Sequence, residues 1–303
     1  MTVNVYRSTD AGAPIASGTV GSLIALLDAC LVNGYGAKAG AGWTKEFSGT
    51  NLAAYKNASN MSQAYYRVDH TTATSPKVVG YEAMTDINTG TGPFPTSTQV
   101  SGGMVMQTST SADSTPRWWT IVASQNIAYI LINPTSNLVT NTSVGVYCFG
   151  AFNSYMVNDA YNNFISGSGG DYTSSVMDNA ISSISSANSS SYCPRSYTQT
   201  GSSVAVGKHG DTAKANSAAT VFGVGSSGGT YPNPVDGSMV ISPLYLHEIN
   251  VVRGIFPGFW FPCHNKPLVT NDTLTGTGPL SGKTLEAFTT YRGQILLETS
   301  STW

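Results

Sequence analysis

"RWWTIVAS" (117–124) and "IAYILIN" (127–133) are separated only by Gln125 and Asn126. Two aromatic and β-branched runs joined by a two-residue connection predict an antiparallel hairpin from Arg117 to Asn133. Other segments carry the same signature. "AYYRV" (64–68) places Ala64, Tyr66 and Val68 on one face of a strand, and "KVVGYEAM" (77–84) alternates less cleanly around Gly80 and Tyr81. Further apolar runs are "VGVYCFGAF" (144–152) and "MVISPLYLHEINVVRGIFPGFWF" (239–261). In the latter region Pro243, Pro257 and Pro262 are expected to confine strands to edges or to interrupt them. "EAFTTYRGQILLE" (286–298) predicts a second hairpin around Arg292 and Gly293.

One segment has a different period. In "TVGSLIALLDACLVNGYG" (19–36), Leu23, Leu26, Leu27, Cys30 and Leu31 fall at i, i+3, i+4, i+7 and i+8, the single stripe of an amphipathic helix over residues 20–33. Thr19 or Ser22 is the expected N-cap, and Asn33-Gly34 supplies a residue able to end the helix with a left-handed backbone. A glycine-rich turn region, "GYGAKAGAGW" (34–43), separates it from the strands. The expected fold is therefore mainly β, with antiparallel, sandwich-like sheets and one N-terminal amphipathic helix packed on a sheet.

The stretch 165–192 is rich in Ser and Gly. Met177, Ile181 and Ile184 have only weak helical spacing there, so it reads as a linker or an exposed excursion. It divides the chain into an N-terminal helix-plus-β part, 1–164, and a C-terminal β part, 193–303, that either stands apart or continues the first. No internal repeat of fixed period is visible, which argues against a propeller or solenoid.

Hydrophobic residues make up 41% of the 303-residue chain, enough to build a substantial core, yet charged residues make up only 10%, against about 25% in ordinary soluble proteins. A surface so poor in charge lacks what normally keeps proteins apart and suits a chain that associates with copies of itself or with other proteins. The 14 basic residues are scattered and the formal net charge is -2, so no basic stripe for nucleic acid exists. No run reaches the roughly 18 apolar residues of a membrane span. "MTVNVYRSTD" lacks the basic start and apolar core of a signal peptide, so a cytosolic site of synthesis and assembly is expected. Cys30, Cys148, Cys193 and Cys263 are far apart with no C-x-x-C, which predicts buried free thiols rather than a zinc cage or disulfide framework.

Several stretches imitate catalytic motifs. "GTGPLSGKT" (276–284) resembles a phosphate loop, but the first glycine should stand at position 277, which is Thr277, and the flanks read as strands rather than strand and helix. "GVGSSGG" (223–229) contains Gly225, Ser227 and Gly229 in the order of a nucleophile elbow, followed by Asp236 and by His247 or His264. The prolines of "TYPNPVDG" exclude the helix such an elbow requires, so a Gly/Ser loop is expected. His70 and His247 stand beside Asp69 and Glu248, but neighbours on a strand face opposite ways and cannot share an ion. "GKHGD" sets Lys208, His209 and Asp211 in a polar turn, with His209 satisfied by Asp211. No catalytic residue, cofactor site or metal site is assigned, and the chain reads as a non-enzyme.

One set of residues carries a resemblance. "VYRSTDAGAP" (5–14), "GSLIALLDACLVNGYGAKAGAGWTKEFSGTNLAAYK" (21–56), "YYRVDH" (65–70), "VVGYEAMTDINTGTGPFP" (78–95), "VGKHGD" (206–211) and "LLETSSTW" (296–303) together resemble a family of tailed-bacteriophage virion proteins, described as structural or tail-associated. The resemblance runs in order from Val5 to Trp303 and brings no catalytic motif with it. It implies a location in the virion, after assembly in the host cytoplasm, and other virion proteins as partners. Three functions follow as expectations: an accessory structural subunit of the neck, tail or baseplate; a capsid decoration protein; or a host-recognition protein that binds or cleaves surface carbohydrate. The last would use some of the 16 tyrosines and 5 tryptophans to stack on a host-surface glycan.

Overall fold

The computed structural model describes residues 2–58, 62–138, 144–168, 191–201, 203–207, 235–248, 251–262, 268–290 and 293–303. Along the chain the strands are β1 (Asn4–Arg7), β2 (Thr44–Gly49), β3 (Leu52–Lys56), β4 (Tyr65–Asp69), β5 (Lys77–Asp86), β6 (Thr89–Phe94), β7 (Met104–Val105), β8 (Trp119–Ala123), β9 (Ile127–Ile132) and β10 (Gly145–Ala151). They continue as β11 (Asn153–Ser154), β12 (Asn163–Ser168), β13 (Ser191–Cys193), β14 (Ser203–Gly207), β15 (Ile241–Glu248), β16 (Val251–Pro262), β17 (Thr273–Thr275), β18 (Thr284–Thr290) and β19 (Gly293–Glu298). The protein is mainly β, its strands pair antiparallel, and the one α-helix among the described residues, α1 (Ser22–Leu27), lies near the N-terminus.

The predicted hairpin is β8–β9, with Trp119 opposite Ile132 and Ala123 opposite Ala128. Every residue of its two strands is buried, as is every residue of β10 beside it. Its two faces belong to two different cores. Trp119, Ile121, Ala128 and Ile130 face one core, while Val122, Ile127, Tyr129 and Leu131 face the other. This double burial explains why these runs show no polar alternation.

On the first face sits a smaller sheet, ordered β2-β3-β4-β5-β6 with β7 beside β5. Its β4 and the residue before it have the expected alternation, with Ala64, Tyr66 and Val68 buried. Helix α1 and the residues that follow it close this core, and their stripe of Leu23, Leu26, Leu27, Cys30 and Leu31 is wholly buried with Tyr55, Tyr66 and Val68 of the small sheet and Trp119 and Ile121 of the large one. On the second face the large sheet meets its own far end. The order β1-β8-β9-β10-β12-β13-β14-β15-β16-β19-β18-β17 curls until Leu244, Phe256, Phe259 and Leu297 pack against Tyr129 and Leu131. The Val3 amide donates to the Ser301 carbonyl at 2.9 Å and Thr2 bridges Thr302, so the large sheet returns to the flank of its first strand.

Three sequence expectations change. The helix over 20–33 is α-helical only over Ser22–Leu27 and continues as a π-helix over Asp28–Asn33. In that wide turn the Gly34 amide donates to the Ala29 carbonyl, while the Cys30 and Leu31 carbonyls accept from Ala41 and Trp43 of the returning chain. Gly34 has φ 80, in line with its expected role as the terminator. The cap differs too. Neither Thr19 nor Ser22 caps the helix; Gly21 occupies the N-cap, Ser22 Oγ donates back to the Ser17 carbonyl, and His70 Nδ1 accepts the Leu23 amide hydrogen at 3.2 Å. The prolines of β15 and β16 lie inside the sheet rather than at its edge. Their pairing shifts register between Pro243 and Tyr245, and Pro257 falls where β16 exchanges its partner β11 for β19, so it need not donate to a ladder. The Ser/Gly-rich stretch starts as β12 and ends in β13, which pair through Ile165 and Tyr192; Met177, Ile181 and Ile184 lie outside the described residues.

Candidate interaction surface

Arg253 interrupts the apolar run of β16, and its side chain is fully buried. A charge out of water costs several kcal/mol unless its surroundings compensate it. Here Nε donates to Asp159 Oδ2 at 2.9 Å and Nη2 to Asp159 Oδ1 at 3.0 Å, a two-point ion pair with a carboxylate that is itself buried. Nη1 donates to Glu248 Oε1 and to the Arg195 carbonyl, both at 2.6 Å, and Nη2 also donates to the Tyr161 carbonyl at 3.0 Å. A guanidinium has five N–H donors, and all five are used. The cluster is saturated and has no donor left for an incoming anion.

Burial disfavours the charge on Arg253, but the hydrogen bonds and charges of Asp159, with Glu248 behind them, outweigh it and hold the guanidinium pKa above its usual value. Burial likewise disfavours ionised Asp159, and Arg253 more than reverses this, keeping the carboxyl below the usual carboxylate range. Cys193, close by, is pushed up to about 12, chiefly by burial, so its thiol is inert.

The cluster braces three segments distant in sequence. Ser154 Oγ donates to Asp159 Oδ2 and the Tyr155 amide to the Arg253 carbonyl, fixing the turn that follows β11. Glu248 Oε2 accepts the Tyr197 amide hydrogen at 2.7 Å, fixing the loop after β13. Arg195 of that loop stacks 4.3 Å over the Tyr161 ring and makes a two-point pair with Glu82 of β5, both bonds 2.8 Å, which ties in the small sheet. Attached to this frame are large apolar side chains that face water: Tyr155 is 58% exposed, Val157 89%, Tyr197 39% and Val252 43%. Scattered exposed apolar residues are common; three on loops and one, Val252, on β16, all braced by one buried ion cluster, have the character of a preformed contact surface.

The motifs noted in the sequence fall elsewhere. "GTGPLSGKT" connects β17 to β18 with a short 3-10 turn over Gly278–Leu280, and the Lys283 ammonium donates to Glu298 Oε1 at 2.7 Å and to the Thr302 carbonyl. The expected turn between strands is present, and its lysine is engaged by the protein. His247 is half-buried on β15 near Tyr245, whereas Glu248 turns inward to Arg253, so the two do face apart. Asp69 faces Thr71 and Arg67, while His70 is buried under α1. Asp236 accepts the amide and hydroxyl hydrogens of Ser238 in an exposed turn. Cys30, Cys148 and Cys193 are buried thiols. Gly225, Ser227, Gly229, Lys208, His209, Asp211, Cys263 and His264 lie outside the described residues. Among the described residues no group of three or more His, Cys, Asp or Glu could hold a metal ion, and no helix is long and apolar enough to cross a membrane.

The residues that sequence reasoning missed are those of the braced surface. Its available signal was Arg253 itself, a single charge within "NVVRGIFPGFWF". The fold and this surface define an antiparallel β-protein with exposed large apolar side chains set around one buried ion cluster. No protein-family model matches the chain, and no curated protein matches it.

Proposed function

We propose that this chain is a structural subunit of a tailed-bacteriophage particle, an accessory component of the neck, tail or baseplate that works by protein–protein assembly. The observation that carries the proposal is the set of exposed Tyr155, Val157 and Tyr197 on loops, with Val252 on β16, all held by the cluster around Arg253. Loops held in advance lose little freedom on docking, so apolar area buried there converts efficiently into affinity. The low charge of the chain and its resemblance to virion proteins favour the same reading. Capsid decoration and carbohydrate recognition are the competing uses.

The test replaces Val157 with Asp and Tyr155 with Ser together, changes that touch exposed side chains and spare the ion cluster. The expected result is an unchanged melting temperature with at least tenfold less incorporation into particles. Normal incorporation of a stably folded double variant would refute the assignment of this surface. Counting copies per particle separates the roles, since a small multiple of three, six or twelve fits the tail axis and hundreds fit decoration.

A further inference from the structure

His70 directly follows β4 and is fully buried, and its own amide donates to the Asn51 carbonyl of the β2–β3 turn. Its Nδ1 is the acceptor for the Leu23 amide, so the ring must be neutral with its proton on Nε2. That Nε2 has no hydrogen-bond partner. Helix α1 has no other side-chain cap, so this imidazole nitrogen holds the Leu23 amide to the small sheet, beside the Tyr55 hydroxyl, which donates to the Ile24 carbonyl at 3.1 Å.

We infer that His70 is an acid-operated latch, whose protonation breaks the bond to Leu23 and frees the N-terminal amide end of the helix from the small sheet, leaving the Tyr55–Ile24 bond in place. A second proton would sit on Nδ1 and point at the Leu23 N–H, donor against donor, at the end of a helix where positive charge is already disfavoured. The charged groups around it do not rescue the protonated form. Helix α1 has no ionisable side chain, and Asp28 beyond it is engaged by Lys45 and Tyr55. Asn51 brings no charge. From its own strand comes Asp69, which is shared with Thr71 and Arg67 and lies opposite Lys77. Burial outweighs the pull of Asp69 and holds the ring neutral down to about 4.

The sign follows by linkage. The folded pKa lies below the unfolded value of about 6.5, so the stabilisation is complete above 6.5, declines as pH falls toward 4, and changes no further below that. Over that window the closed-to-open ratio should fall on the order of a few hundredfold.

The experiment compares wild type with His70→Asn, whose side-chain oxygen can accept the same amide hydrogen but cannot titrate in this range. Wild type should lose melting temperature between pH 6.5 and 4 in excess of the variant, and exchange at the Leu23 amide, corrected for intrinsic rate, should accelerate in wild type alone. Parallel profiles would overturn the latch. If the variant fails to fold, imidazole nitrogen NMR on wild type decides. A ring kept as the Nε2–H tautomer until near pH 4 supports the inference, and ordinary titration near 6.5 refutes it.

Discussion

Replacing Arg253 by Met tests whether the buried cluster supports the exposed loops. Methionine fills much of the arginine stem's volume beside Phe152, which lies 5.3 Å from the guanidinium, so the change removes charge and hydrogen bonds more than it opens a cavity. It leaves Asp159 and Glu248 buried without their cation, although Asp159 keeps Ser154 and the Tyr161 amide, and Glu248 keeps the Tyr197 amide. Removing one partner from a buried ion pair costs about 3–5 kcal/mol, chiefly from the carboxylates left behind. The loss should therefore depend on pH in a characteristic way. In wild type the Asp159 pKa is depressed, so its stabilisation holds above the unfolded value and fades as pH falls through it. In the variant burial acts on the Asp159 carboxyl without Arg253 to oppose it, so protonation relieves it and the deficit shrinks as pH falls toward 4. Urea denaturation of both proteins at pH 7 and 4.5 measures this, and the His70 contribution cancels in the difference. A deficit under about 1 kcal/mol at pH 7, or one equally large at both pH values, would refute the reasoning.

Leu27→Ala should cost about 2–5 kcal/mol in the isolated protein, because Leu27 is fully buried in the core closed by α1. An unchanged melting temperature would mean that the stripe does not hold the chain's own core. Lys283→Ala should leave nucleotide behaviour unchanged, with no saturable ATP or GTP binding in either protein by calorimetry, since Lys283 is committed to Glu298 and Thr302. Micromolar binding that disappears in the variant would reverse that conclusion.

Local pattern carried much of this fold. The two-residue connection at Gln125 and Asn126, the alternation through Ala64, Tyr66 and Val68 and the leucine stripe from Leu23 to Leu31 all report nearest neighbours along one element. What lay beyond reach depends on residues far apart. The helix cap is His70, 47 residues from Leu23, and it displaced the local candidates Thr19 and Ser22. Asp159 meets Arg253 across 94 residues, and no spacing rule links them. Val157 belongs to "SYMVNDAY", which composition alone could as well bury as expose; only the turn fixed by Asp159 sets it in water. The π-helix arises because later residues, Ala41 and Trp43, claim carbonyls that a regular helix would keep.

The burial of β8–β9 on both sides raises a question of alignment. In a strand with one wet face, sliding by one residue is forbidden because it would drown the apolar side chains in solvent. Here both faces are apolar, and that safeguard is absent. The polar tips of the large rings take its place. Trp119 Nε1 donates to the Pro14 carbonyl on one side, and Tyr129 Oη donates to the Pro257 carbonyl on the other. A one-residue slip would turn each ring into the opposite core, where its hydrogen would meet hydrocarbon instead of a carbonyl. Tryptophan and tyrosine thus serve as keys cut for one side only, and they give an otherwise featureless greasy ribbon a single permitted position.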